Sequence, residues 1–149
     1  LVEVSTRGDK TFACFSVPGT PVPQGSMRSP RSGVVLHNSS ERLKSWRQEV
    51  GWAAKTEMRG SPPWTGPVEV HLYYAYKPRR KGDSGQPKDT QPDIDKLDRA
   101  VLDACTGILW LDDRQVASLK SYKGYGDWIP KGGSEPTGLL VNAMKMKPR

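Results

Sequence analysis

At 149 residues and a net charge of +7, the chain has the length of one domain, enough to bury about 70% of the surface its unfolded form would expose without a disulfide or structural metal. Its two cysteines, Cys14 and Cys105, lie far apart and outside any Cys-x-x-Cys or Cys/His cluster, which argues against structural zinc and for buried thiols in a reducing cytoplasm. No signal-peptide core opens the chain and no apolar run is long enough to cross a membrane, so a secreted or membrane protein is not expected.

Thr11 to Val17 reads as a first strand, ended by Pro18-Gly19. Pro18 to Gly33 is a Pro- and Gly-rich loop carrying Arg28 and Arg31, and Val34 to Leu36 suits a short strand. Ser39 to Arg59 reads as a helix, with Ser39 or Ser40 as its cap and Leu43, Trp46, Val50, Ala53 and Ala54 on one face. Gly51 weakens it; Gly60 and Pro62-Pro63 stop it. Pro67 to Lys77 is a strand with Val68, Val70, Leu72, Tyr74 and Tyr76 on one side.

Lys77 to Thr90 is a loop with five bases against two acids and nothing apolar to pack; it is expected to move freely. Ile94 to Cys105 reads as a second helix with Ile94, Leu97, Val101, Leu102 and Cys105 on its core face. Gly107 stands just past its end. Arg114 to Tyr125 and Gly138 to Met146 read as strands suited to pair with each other. Interleaved strands and helices predict an α+β fold: one domain over 1–149 with a mixed sheet and helices packed on it.

The charge is unevenly placed. Six of the sixteen acids fall between Asp93 and Asp113, beside only two bases, Lys96 and Arg99. The remainder is therefore more basic than the net charge suggests, and a polyanionic partner such as DNA is expected. Asp93 and Asp95, spaced i, i+2 ahead of a helix, project to one side if the segment is extended. Two close carboxylates repel unless a cation lies between them, and Mg²⁺ suits oxygen donors. Helix capping by Asp95, with Asp98 in the first turn, meets the same spacing.

Asp112-Asp113 follows the helix and the apolar run GILWL, where no helix cap explains it; a polar turn is the alternative. Reversal of the chain after Gly107 is expected to carry one of these carboxylates back toward Asp93 and Asp95. Asp95, Arg99 and Asp103 lie four apart on one strip, where Arg99 could face a phosphate or pair with its acidic neighbours. Arg79, Arg80, Lys81 and Lys88 suit phosphate contacts. His37 and His71 have no metal-pair spacing, the tryptophans read mainly as core with Trp128 placed to stack on a base, and no nucleotide-cradling or serine-hydrolase motif occurs.

The run Pro92-Asp93-Ile94-Asp95-Lys96-Leu97, then Asp103-Ala104, Gly107 and Asp112-Asp113-Arg114-Gln115-Val116, resembles the signature of the RusA family of Holliday junction resolvases. The early loop PGTPVPQGSMR is similar as well. The resemblance implies a sheet of four to five strands with two main helices on one face. It implies a homodimeric endonuclease that cuts branched DNA, the four-way junction, with Mg²⁺ or with Mn²⁺ in its place, and no small-molecule cofactor. Asp93, Asp95 and Asp113 then fall on the essential carboxylates, with Asp112 beside the third. Arg99 stands where the family commonly has a catalytic lysine, Lys96 where it has Asn, and Gln24 where a basic residue is common. Arg28, Arg79, Arg80, Lys81, Lys88 and Lys96 are expected on DNA.

Two other readings differ in class. A basic DNA-binding module without cleavage would use the same acids as caps and turns. A restriction-type nuclease would need a Glu-x-Lys on a strand after Asp93, and none is present. The dimer surface is expected on the sheet face away from the helices or in Gly138 to Met146.

Overall fold

Alternation along the strands fixes one covered face of the sheet. In β1 (Phe12–Pro18) Ala13, Phe15 and Val17 point inward, leaving Phe12 and Cys14 exposed. Cys14 is therefore not the buried thiol expected, because the pleat takes its phase from Ala13, Phe15 and Val17. The computed structural model describes residues 10–25, 37–126 and 137–147. The expected strand at Val34 to Leu36, and Arg28, Arg31 and Trp128, lie outside them.

Helix α1 (His37–Met58) buries Trp46, Val50, Ala54 and Met58, with Leu43 and Ala53 packed beside them. It begins ahead of Ser39 and Ser40, so neither serine is its cap; serine costs a helix only a few tenths of a kcal/mol and does not stop it. At Gly51 a Cβ would stand 3.4 Å from the Ala104 carbonyl and 3.5 Å from Ile108 Cδ1, ordinary contact distances, so α1 passes close to the end of the next helix there. Arg59 and Gly60, both at positive φ, turn the chain out of α1.

Strand β2 (Val68–Tyr76) follows, then helix α2 (Ile94–Cys105), a 3-10 turn (Asp113–Gln115), β3 (Val116–Tyr125) and β4 (Gly138–Lys145). The sheet order is β1-β4-β2-β3. β4 lies antiparallel to both β1 and β2, whereas β3 runs parallel to β2 through the α2 crossover. β3 and β4 therefore do not pair with each other as expected: β4 fills the centre and β3 takes an edge. Leu139, Val141 and Ala143 of β4 are wholly buried in the chain's own core, which removes that row from any dimer surface. One core of Val68, Val70, Leu72, Tyr74, Leu97, Val101, Trp110 and their neighbours joins the sheet to both helices. None of the helices described is long and apolar enough to cross a membrane.

Candidate active site

The start of α2 is built by its sequence. Asp93 occupies the N-cap in an extended conformation, and its carbonyl accepts the Leu97 N–H at 3.1 Å. Its side chain makes no cap hydrogen bond. Asp95 lies in the first turn, so the pair does not share one extended segment, and the cap is Asp93 rather than Asp95. Both carboxylates are exposed. Among the described residues Lys96 pairs with Asp93, Nζ 3.6 Å from Oδ2, a partly solvated pair worth a fraction of a kcal/mol.

Asp98 is neither cap nor ligand candidate. It is 8% exposed and accepts from Tyr74 Oη at 2.8 Å and Ser121 Oγ at 2.7 Å. Burial pushes its carboxyl above the ordinary value, and the two hydrogen bonds offset part of that rise. The sequence hides this role because Asp98 is one of several acids on a short helix. Its buried partner, Tyr74, comes from a distant strand.

Asp112 and Asp113 divide their work. Asp112 caps the 3-10 turn: Oδ1 accepts the Arg114 N–H at 2.9 Å, and Gln115 closes a reciprocal capping box. A cap thus does explain Asp112, contrary to the reading from sequence, because the cap serves a short turn that the apolar run conceals. Gln115 Nε2 also donates to the Trp64 and Gly66 carbonyls, both at 2.9 Å. Asp113, the first residue of the turn, stays exposed.

The turn is fixed at the foot of β3, while the start of α2 is fixed at its far end, where Lys123 Nζ donates to the Pro92 carbonyl at 2.6 Å. Val116 to Lys123 spans on the order of 20 Å at strand rise. The chain therefore does not return Asp113 to Asp93 and Asp95 as expected, because α2 runs back along β3 and its end sits opposite its beginning. Among the described residues no three His, Cys, Asp or Glu side chains form a group that could hold a metal.

The donors themselves fit a hard cation. Asp93 and Asp95 offer exposed carboxylate oxygens at a helix start, and Mg²⁺ commonly takes one or two carboxylates while keeping waters. Arg99 is exposed on α2 and makes no ion pair with Asp95 or Asp103 among the described residues.

The basic loop is more ordered than its composition suggests. Asp83 Oδ2 accepts the Arg79 and Arg80 N–H groups at 3.3 and 3.0 Å, and the backbone of Gly85 donates to the Tyr125 carbonyl at 2.7 Å. Arg79, Arg80 and Lys81 remain exposed. Lys88 does not join them. It is 6% exposed, with Nζ 5.3 and 5.1 Å from the ring centres of Tyr76 and Tyr125 and 2.7 Å from Thr90 Oγ1. Two aromatic faces accept the ammonium, so the buried Lys88 does not offer the phosphate contact expected of it.

Lys123 was missed from sequence. Its signal is phase: Leu119, Ser121 and Lys123 share one side of β3, and Ser121 faces α2. Burial and the charge of Lys88 lower the Lys123 pKa, and Asp93 counters part of that effect. The early loop also touches the site, since the Gln24 N–H donates to the Lys96 carbonyl at 3.0 Å.

Exposed carboxylates at a helix start, with Lys96 and Lys123 close to Asp93, offer oxygen donors of the kind that hold metal ions. Residues 18–131 match the family model described as endodeoxyribonuclease RusA, and the chain belongs to that family. The match spans every candidate residue from Arg28 to Asp113. The chain is also 32% identical over 126 residues to "Uncharacterized protein YqaN" of Bacillus subtilis (strain 168), covering 76% of this chain and 87% of the relative.

Proposed function

We propose that this chain is a structure-specific endodeoxyribonuclease that resolves four-way DNA junctions with Mg²⁺, or Mn²⁺ in its place, as a homodimer. The observation that carries the reading is the pair Asp93 and Asp95: exposed at the start of α2 within a RusA-family chain, with no cap hydrogen bond from the Asp93 side chain. Asp93, Asp95 and Asp113 would hold the cation. Asp112 acts on Asp113 through the turn it caps. The bound cation would offset phosphate charge and lower the pKa of a bound water.

The remaining residues bind and orient DNA. Arg99 offers a planar fork of donors to a phosphate but is a poor proton donor. Arg79, Arg80, Lys81 and Lys96 hold backbone phosphates without reading sequence; Arg28 is assigned with them from the sequence alone.

The separation of Asp113 from Asp93 and Asp95 supports the dimer. Among the described residues one copy does not gather three carboxylates, so a second copy would supply Asp113. β3 is an edge strand, covered at its end by Pro87 and Lys88 but, among the described residues, not over Ala117 to Ser121. Antiparallel pairing of two such edges would bring each Asp113 toward the partner's α2 start. Incubation with a synthetic four-way junction, with and without Mg²⁺, tests the reading beside Asp95→Asn. Paired cuts that need Mg²⁺ and Asp95 support it; DNA binding with no cleavage under any divalent cation would leave a non-catalytic binding module.

A further inference from the structure

The turn ahead of Asp93 is held by a lysine to which the proposed chemistry gives no part. Lys123 Nζ donates to the Thr90 carbonyl and to the Pro92 carbonyl, both at 2.6 Å. Buried Lys88 braces the same turn from the other side. Its ammonium donates to Thr90 Oγ1, and its backbone N–H donates to the Lys123 carbonyl at 2.9 Å. Lys123 itself stands on a strand locked in register with β2, opposite Tyr74. The segment that delivers Asp93 is thus pinned to the sheet as well as to its own helix.

We infer that Lys123 is a positioning residue that sets where the Asp93 carboxylate stands, and through it the cation affinity of the α2 start. This rests on the proposed function in one respect, that Asp93 binds the cation. The Asp93 side chain makes no cap hydrogen bond, and its contact with Lys96 is a partly solvated pair at 3.6 Å, so the position of the Thr90 to Asp93 backbone largely sets where the carboxylate stands. An ammonium offers three donors at a single point and can draw two carbonyl oxygens together. A methionine of similar length leaves those oxygens facing each other without a donor. An arginine keeps the charge but spreads its donors over a rigid plane.

The helix body does not depend on this clamp. Leu97, Ala100 and Val101 lie wholly in the core, and Asp98 is bonded to Tyr74 and Ser121. Loss of Lys123 therefore moves a ligand more than it unfolds a helix.

The test is Mn²⁺ binding to the full chain, followed by paramagnetic resonance without DNA. Lys123→Met and Lys123→Arg are compared with wild type, with Asp93→Asn, and with Lys120→Met, an exposed lysine on the other side of β3. Lys123→Met is expected to weaken Mn²⁺ binding about 10- to 100-fold, the range seen when a supporting partner of a metal ligand is lost. Lys123→Arg should weaken it by a smaller factor, and Lys120→Met should leave it unchanged. In cleavage assays the Lys123→Met midpoint in Mg²⁺ should rise, with the rate recovering at saturating Mg²⁺; a purely structural role would lower the folded fraction without moving that midpoint.

A folded Lys123→Met with wild-type Mn²⁺ affinity overturns the inference. Should Lys123→Met fail to fold by circular dichroism, Lys123→Arg decides, and wild-type affinity there overturns it equally. Wild-type protein that binds Mn²⁺ through Asp93 yet cuts no junction overturns the nuclease reading alone, and a weakened Lys123→Met still supports the positioning role. Wild-type protein that binds no Mn²⁺ overturns both.

Discussion

Mixing two variants, each expected to be inactive alone, tests how the site is assembled. Asp95→Asn removes a carboxylate at the start of α2, and Asp113→Asn removes the one at the foot of β3. The two ends are separated by on the order of 20 Å of strand, and each is anchored by its own hydrogen bonds, Lys123 to Pro92 at one end and Gln115 to Trp64 and Gly66 at the other. If each cation is held between copies, co-expression of the two variants in equal amounts gives about half mixed dimers by random association. In each mixed dimer one site receives both substitutions and the other neither, so about a quarter of wild-type sites return. The assay is cleavage of a labelled four-way junction by differently tagged variants purified together. With one intact site per mixed dimer, the product should be mainly nicked junctions rather than paired cuts. Activity no higher than that of either parent, in a preparation shown to contain mixed dimers, would refute the shared site.

Three further outcomes follow from the geometry. Asp98→Ala strands a buried Tyr74 hydroxyl and removes a charged acceptor, which should cost about 3 kcal/mol, or a melting temperature lower by roughly 6–12 °C for a domain this size. Asp98→Asn keeps an acceptor for Tyr74 and should stay within about 1 kcal/mol of wild type. Because the folded Asp98 carboxyl has a raised pKa, the native state holds that proton longer than the unfolded chain. Its contribution should therefore decline as pH rises from the ordinary carboxylate value through the folded one, and Asp98→Asn should abolish that slope in urea melts across acidic pH. Burial and the Glu57 carboxylate raise the pKa of the exposed Cys14 thiol, so its alkylation near neutral pH should be slower than that of a free thiol and should quicken in Glu57→Gln. Replacing Arg79 and Lys81 with Ala should weaken junction binding and lower the slope of log affinity against log salt by about two contacts' worth; an unchanged slope would take the loop off the DNA.

Local pattern made much of this protein legible. The bounds of α2 agree with the apolar spacing from Ile94 to Cys105 and the glycine beyond it. β2 follows from strict alternation, and the run around Asp93, Asp95 and Asp113 points to the family that residues 18–131 match. These features are carried by spacing within one helix, one strand or one short run of sequence, where side-chain period and chain conformation are coupled.

Tertiary structure decided the rest, because it depends on neighbours distant in sequence. Strand order put β4 between β1 and β2 and left β3 as an edge, a choice that the apolar patterns of the two late strands do not distinguish. Cys14 faces out because β1 takes its phase from its neighbours, and Lys88 turns inward because Tyr76 and Tyr125, from two different strands, offer it their faces. Spacing in sequence groups Asp93, Asp95 and Asp113, yet the helix between them carries the third carboxylate away along β3. Residue types thus name the chemistry, while the direction of α2 against the sheet determines that one chain alone does not bring its three acids together.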